Sequence, residues 1–145
     1  MKPDDWTDGF LVAGVSARVR NDDPASIGRL WEQFRVQNVA AQISTKLSGD
    51  IHCVYHAYEG DHRDPFHMTI GFKVPAGSAI PSGLGTAHVP AQRLTIYDAS
   101  GQQPAALITT WMKIWDSRIA RSFLADFDLY DCGNPERVTV HVGIQ

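Results

Sequence analysis

The sequence has 145 residues, a net charge of −3 and 43% hydrophobic residues, which fits one folded domain with an ordinary core. Its 13 basic residues form no Lys/Arg run, so we expect no direct nucleic-acid partner. No apolar run approaches the ~20 residues that span a bilayer, and the acidic N-terminus lacks the apolar stretch of a signal peptide. The two cysteines form no CxxC pair, which favours free thiols in a soluble, cytoplasmic protein without a membrane partner.

The first part of the chain predicts a strand followed by helix. Residues 10–20 are rich in small and β-branched residues, and Gly14 interrupts their alternation, which indicates a bulge or a close backbone contact. Asp23 and Pro24 favour the start of a helix. A break near Asn38 should separate it from a short second helix. The apolar face of the first helix carries Ile27, Leu30, Trp31 and Phe34.

Two alternating segments, residues 51–59 and 66–74, predict the second and third strands, joined by a polar turn. Residues 75–90 are rich in Gly, Pro and Ser, and we interpret them as the connection between two halves of the chain, either a plain linker or a functional lid or binding loop. Residues 91–99 predict a fourth strand. A second long helix is predicted from about residue 103 to residue 121, and its wide apolar arc must be covered on more than one side.

Residues 122–145 predict a final hairpin that resembles the hairpin of strands two and three. The spacing between Tyr58 and Tyr130 recurs between other matching residues, and it aligns His56 with Asp128. A constant spacing of this kind indicates an internal duplication.

Each half of the chain therefore reads as strand, helix, strand, strand. We predict a single domain over residues 1–145, with pseudo-repeats at about 9–74 and 89–145. The predicted fold class is α+β: a duplicated β-α-β-β unit whose antiparallel sheet carries two main helices.

Asp128 is the strongest candidate for a functional side chain. It precedes Tyr130 by two residues, so both side chains point to the same face of a strand. On strand two, we expect His56 and Tyr58 on the matching face. The opposite face, which includes Phe127, is apolar and predicts core.

The helical tryptophans predict an aromatic seam beside this carboxylate. Core packing accounts for at least one of them, but Trp31 and Trp111 lie on different helices that must share one sheet. A carboxylate such as Asp128 in a seam of this kind is poorly solvated, which strengthens its attraction to an organic cation. The faces of Trp and Tyr add cation–π interactions. This combination favours flat, cationic or amphipathic small molecules.

The sequence predicts neither a metal site nor a cofactor. His52 and His56 are four residues apart, which on a strand separates them by roughly 13 Å, too far to share one ion. The chain also lacks a phosphate-binding loop and a nucleophile elbow.

Eight segments in order give the chain a resemblance to the GyrI-like small-molecule-binding family. This family includes the effector-binding domains of AraC- and MerR-type transcription regulators and stand-alone integron-cassette proteins. The segments are VAGVSARV near the start, IGRLWEQF at 27–34, VYHAYEGD at 54–61, MTIGFKV at 68–74, VPAQRLTIYDASG at 89–101, TWMKIW at 110–115, DFDLYD at 126–131 and VTVHVGI at 138–144.

The resemblance implies a ligand cleft between the two helices. Family members usually carry a pocket Glu, which contacts cationic ligands, where this chain has Asp128, a side chain one methylene shorter. By position, the resemblance implies that Tyr130, Tyr58, Trp31 and Trp111 form the walls. The short segment before DFDLYD predicts a different pocket rim. No DNA-binding unit is expected, so direct control of transcription is not predicted.

Three functional hypotheses follow. The first is a stand-alone, non-enzymatic effector-binding protein for cationic or amphipathic aromatic ligands, with Asp128 as counter-charge. The second is a hydrolase of a reactive small molecule, with Asp128, Tyr130 and Trp111 positioning water. The third is an interaction module for gyrase or a regulator. Exposed sheet edges would also allow a homodimer.

Overall fold

The computed structural model describes residues 5–145, which form one sheet and three helices. The strands are β1 (Asp5–Thr7), β2 (Phe10–Val19), β3 (Ile51–His56), β4 (Phe66–Val74), β5 (Gly85–Val89), β6 (Gln92–Asp98), β7 (Ala125–Asp131) and β8 (Asn134–Ile144). The helices are α1 (Pro24–Val36), α2 (Val39–Gln42) and α3 (Ala105–Asp116).

The eight strands of these residues pair antiparallel in the order β1-β6-β8-β7-β3-β4-β2-β5. The order is symmetric about the central β3–β7 pair, with β4 and β2 on one side and β8 and β6 on the other. The predicted α+β class is confirmed. The edge strands β1 and β5 were not predicted, and β5 lies inside residues 75–90, which were interpreted as a plain connection.

Two glycines bring β2 and β4 into close contact. Gly14 pairs with Gly71, and a Cβ on Gly14 would lie 1.9 Å from the carbonyl oxygen of Ile70. A Cβ on Gly71 would lie equally close, at 1.9 Å, to the carbonyl oxygen of Ala13. The close backbone contact predicted at Gly14 is confirmed, because a side chain at either position would push the strands apart.

The helices cover one face of the sheet in two separate places. Leu30 of α1 is buried in a cluster with β2, β3 and β4, and Trp111 of α3 is buried against β8 residues such as Val140. Tyr55 and Tyr130 contact both clusters. The two main helices therefore stand on different halves of the sheet, and the tyrosines lie between them.

The helix boundaries follow local backbone geometry. Asn38 has a left-handed φ of 50° between α1 and α2, which confirms the predicted break. Helix α3 is shorter than the predicted 103–121, because Ser117 at its end is extended. Residues 117–124, which we call the α3–β7 segment, therefore lie outside the helix and lead to β7.

The face of the sheet that points away from the helices is also buried. It carries a second apolar cluster that includes Val54, Ala125 and Phe127, all at most 4% exposed. Both faces of the sheet are therefore buried at its centre, and polar groups there find hydrogen-bond partners only within the protein.

No helix of residues 5–145 is both long and apolar enough to cross a membrane.

Candidate functional site

A cleft of about 1350 Å³ opens between α1 and α3, above the centre of the sheet. Trp31 lines it from α1, Trp111 and Trp115 line it from α3, and Tyr55 and Tyr130 lie at its floor. The ring centroids of Trp31 and Tyr130 are 5.4 Å apart, and those of Trp111 and Tyr55 are 5.3 Å apart, in edge-to-face geometry. The rings hold one another in place, so the cleft presents a preformed aromatic surface.

Gly28 keeps the α1 side of the cleft open. It lies one helical turn before Trp31 and lines the cleft, and a Cβ added there would meet nothing within 4 Å. Glycine inside a helix costs up to about 1 kcal/mol relative to alanine. Gly28 therefore leaves space in the cleft at some expense in helix stability.

Asp128 lies directly beneath this cleft and has no exposed surface. Its Oδ1 accepts a hydrogen bond from Trp111 Nε1 at 2.9 Å, and its Oδ2 accepts one from the Tyr55 hydroxyl. Burial raises the pKa of Asp128 to about 7, although the bonds from Tyr55 and Trp111 lower it, and the nearby Asp126 raises it further. Near neutral pH, this carboxyl is therefore poised between its neutral and charged forms.

The side chains that cover Asp128 separate it from a ligand in the cleft. Tyr55 and Trp111 line the cleft, whereas Asp128 is not part of its surface. Both donors are neutral, so Asp128 has hydrogen bonds but no cationic partner among the described residues. The arrangement can stabilise positive charge in the cleft, but Tyr55 and Trp111 lie between the carboxylate oxygens and any water in the cleft.

A second buried carboxylate, Asp126, lies on the same face of β7, and it is neutralised. Arg121 from the α3–β7 segment donates through Nη2 to Asp126 Oδ2 at 2.6 Å. The other oxygen, Oδ1, accepts from the backbone N–H of Gly143 at 2.8 Å, and the Tyr58 hydroxyl donates to Oδ2. Asp126 is thus fully bonded, and Asp128 is the carboxylate without a counter-charge.

The Arg121 guanidinium also contacts aromatic rings. Its Cζ lies 4.2 Å from the ring centroid of Phe123, 5.6 Å from that of Trp111 and 5.8 Å from that of Tyr58. Phe123 reaches this position through a left-handed φ of 54°. Arg121 lines the cleft, so the aromatic site already contains one cation of the protein itself.

The structure brings together five of the six residues predicted from the sequence. Tyr58, Tyr130, Trp31 and Trp111 line the cleft, and Asp128 lies below it.

His56 does not join them. It pairs with Ala125 and accordingly shares the opposite face of the sheet, where its Nε2 lies 2.8 Å from Thr69 Oγ1. The register instead pairs Cys53 with Asp128, and the left-handed φ of 50° at Ala57 ends the alternation, after which Tyr58 returns to the cleft. The predicted role of His56 in the cleft is therefore wrong.

Sequence reasoning missed Tyr55, Asp126 and Arg121. Asp126 was detectable, because it stands two residues before Asp128 and so shares its face. Tyr55 was missed because the alignment of His56 with Asp128 placed the neighbouring Tyr55 on the opposite face of the strand. Arg121 gave no signal, because it was assigned to the end of a helix that stops five residues earlier.

One group of potential metal ligands comes together within residues 5–145. Ligand atoms of Asp50, Asp131 and Cys132 lie within 4.8 Å of one another at the surface, outside the cleft. Asp50 and Asp131 already accept backbone hydrogen bonds from Cys132 and Gly133, which shape the β7–β8 turn.

Comparison with known proteins identifies relatives along almost the whole chain. Residues 6–141 match the profile of a family described as Cass2, integron-associated effector binding protein. The chain is also 26% identical over 140 residues to YobU of Bacillus subtilis (strain 168), a protein provisionally named as a transcriptional regulator. That alignment covers 90% of this chain and 88% of YobU.

Solved structures share the fold. The integron cassette protein VCH_CASS2, from the mobile metagenome of Vibrio cholerae, is 20% identical with a TM-score of 0.81, and the match covers 99% of this chain and 95% of that one. SAV2435, solved bound to tetraphenylphosphonium, is 12% identical with a TM-score of 0.71, covering 100% of this chain and 94% of SAV2435.

Proposed function

Because this chain belongs to the family of integron-associated effector binding proteins, we propose that it is a receptor for an aromatic or amphipathic organic cation, bound between α1 and α3. The observation that carries the proposal is Asp128, a buried carboxylate beneath an aromatic cleft, with two neutral donors and no cation beside it.

Two interactions favour a cation in this cleft. At an effective dielectric constant of about 20, charges about 6 Å apart attract by roughly 3 kcal/mol, so Asp128 acts through the rings that cover it. The faces of Trp31 and Trp111 add cation–π interactions of up to about 2 kcal/mol each when water is excluded. A neutral ligand of the same shape would gain the apolar contacts and lose both of these interactions.

The tetraphenylphosphonium bound to SAV2435 supports this ligand class. That ion is large, aromatic and permanently positive, and SAV2435 shares the fold of this chain over its full length. A cleft of about 1350 Å³ has room for a ligand of that size. We therefore propose tetraphenylphosphonium as a probe for this cleft.

Binding is favoured over hydrolysis by the state of the carboxylate. A general base needs an oxygen within ~2.6 to 3.2 Å of its water. Both oxygens of Asp128 already accept bonds from Tyr55 and Trp111, and those side chains separate it from the cleft. A cytoplasmic location, a homodimer and a protein partner all stay predictions.

The test compares a cation with a neutral ligand of similar shape. Tetraphenylphosphonium and its neutral four-phenyl counterpart tetraphenylmethane, both kept in solution with the same fraction of dimethyl sulfoxide, are titrated at pH 8, where Asp128 is mostly charged. We expect the cation to bind about tenfold or more tightly, and Asp128→Asn to remove that preference while keeping most of the neutral affinity.

Asp131→Asn is the matched control. Asp131 lies on the same strand and is partly exposed, so the variant makes the same change in net charge away from the cleft. It should bind both ligands as the unmodified protein does. Equal affinity for the two ligands, or an equal loss in both variants, contradicts the proposal.

A further inference from the structure

Arg121 is an unexpected residue in a cleft that should favour cations. It comes from the α3–β7 segment, its side chain is 6% exposed, and it lines the cleft. Its Nη2 bonds to Asp126, but within residues 5–145 neither Nε nor Nη1 has a hydrogen-bond partner, although both atoms are buried. Buried donors are nearly always paired in folded proteins, so two unpaired donors on one guanidinium require an explanation.

The surroundings of Arg121 cannot supply the missing acceptors. Asp126 and the Tyr58 hydroxyl both accept from Nη2, and the other groups beside the guanidinium are the rings of Phe123, Trp111 and Tyr58. Ring faces attract a cation, but they do not offer the lone pairs that an N–H group needs. Because Arg121, Trp111 and Tyr58 all line the cleft, the cleft is the side from which an acceptor can approach the guanidinium.

The charges of the site also restrict its occupant. Asp126, Asp128 and Arg121 together carry a net charge of −1 when Asp128 is ionised. One positive centre on the ligand balances that charge. A second positive centre near Arg121 would be repelled, whereas a negative or strongly accepting group there would be attracted.

We propose that Arg121 is a specificity-determining residue, and that the ligand carries a carbonyl or carboxylate oxygen in addition to its positive centre. This inference rests on the proposed function and narrows its ligand class to zwitterionic or acceptor-bearing aromatic cations. Asp126 and Asp128 are two residues apart on β7, so their Cα atoms are about 7 Å apart. Arg121 is bonded to Asp126. The oxygen therefore belongs about 7 Å from the positive centre.

A matched pair of probes tests this spacing. Butyltriphenylphosphonium is a simple cation, and (4-carboxybutyl)triphenylphosphonium adds a carboxylate five bonds from phosphorus. At pH 8, we expect the carboxylate probe to bind the unmodified protein roughly tenfold more tightly, since a hydrogen bond to a charged group contributes a factor of this size. Equal or weaker binding of the carboxylate probe overturns the inference.

Variants separate recognition from folding. Arg121→Gln combined with Asp126→Asn removes both charges of the ion pair together, so no buried charge is left uncompensated. We expect the double variant to bind the two probes with about equal affinity, so that the preference for the carboxylate probe is lost whatever the change in affinity for the butyl probe. A preference that survives in the double variant overturns the inference.

A measurement on the unmodified protein covers the case in which the double variant does not fold. The Arg121 Nε–H resonance is followed by NMR during both titrations. We expect the carboxylate probe to shift this resonance well beyond the shift caused by the butyl probe, as a new hydrogen bond would, and equal shifts overturn the inference.

The outcomes also separate this inference from the proposed function. In one outcome, the butyl probe binds with an affinity that depends on Asp128, but the ratio of the two probes' affinities does not change when Arg121 is replaced. That outcome contradicts only the role of Arg121. If neither probe binds, or if Asp128→Asn leaves the affinity for the butyl probe unchanged, both the proposed function and the role of Arg121 are contradicted.

Discussion

Trp111 donates its indole N–H to Asp128 at 2.9 Å while the same ring forms part of the cleft wall. A ligand that stacks on this ring therefore contacts the group that covers the buried carboxylate. Tyr55 has the same double position on the other carboxylate oxygen. Ligand binding and the charge of Asp128 are consequently coupled through these two side chains.

Replacing Trp111 by phenylalanine should shift the pH dependence of cation binding upward. The indole bond lowers the pKa of Asp128, so its loss raises that pKa and leaves less charged carboxylate at pH 7. We expect the affinity for tetraphenylphosphonium to fall about tenfold at pH 7 and to recover in part at pH 9. Titrations at both pH values measure this.

Trp115→Phe is the control for lost aromatic area. Trp115 lines the cleft, but its ring stacks on His62 at 5.2 Å and makes no bond to Asp128. Its variant should lose affinity by a similar factor at both pH values. Identical pH profiles for the two variants would show that the indole bond does not tune Asp128.

Gly28→Leu should block the cleft without harming the fold. A side chain at this position meets open space, and leucine is a better helix former than glycine by up to about 1 kcal/mol. We expect at least a tenfold loss of tetraphenylphosphonium affinity with an unchanged or higher melting temperature. Gly28→Ala adds one methyl group and should keep most of the binding. Unimpaired binding by the leucine variant would place the ligand elsewhere.

Acid should destabilise the protein through histidines buried on the face opposite the helices. Burial lowers the pKa of His52 and of His141 to about 4, from an ordinary value of 6.5. Their contribution to stability is fully present above pH 6.5 and is lost as the pH falls toward 4, because the unfolded chain binds the protons first. Asp128 opposes this trend, since its pKa is raised to about 7 and the folded state then holds the extra proton.

His52→Phe tests the acid transition. His52 is 6% exposed and packs against Phe10 and Phe127, so a phenylalanine suits its surroundings and carries no titrating group. A pKa lowered from 6.5 to about 4 corresponds to roughly 3 kcal/mol at most. We expect urea unfolding at pH 4.5 to show a gain in stability relative to the unmodified protein that is smaller at pH 8. An equal effect at both pH values would contradict the assignment.

Much of the architecture was readable from the sequence, because alternation and helical spacing act locally. The Gly14 contact, the break at Asn38 and the final hairpin were predicted where the structure has them. The edge strand β5 was missed, because its pairing partner β2 is distant in the chain and its sequence resembles a linker. The internal duplication stays a prediction.

The site was predicted in part, for reasons visible in single residues. Asp128 and Tyr130 share a face by simple alternation, which sequence reveals. Ala57 has a left-handed backbone conformation that ends the alternation of side chains. Because this position is not a glycine, the sequence gives no sign of the change, and His56 was assigned to the wrong face. Arg121 pairs with Asp126 only because the α3–β7 segment turns back on the sheet. This contact depends on tertiary structure, so local sequence patterns do not predict it.

Proton release on binding is the most direct test of Asp128 as the counter-charge. Calorimetric titrations with tetraphenylphosphonium at pH 7, in two buffers of different ionisation enthalpy, count the protons released per ligand. Because the pKa of Asp128 is about 7, a bound cation should expel about half a proton from the unmodified protein, and Asp128→Asn should release almost none. Binding heats that are independent of buffer in the unmodified protein, or the same release from the variant, would contradict the account.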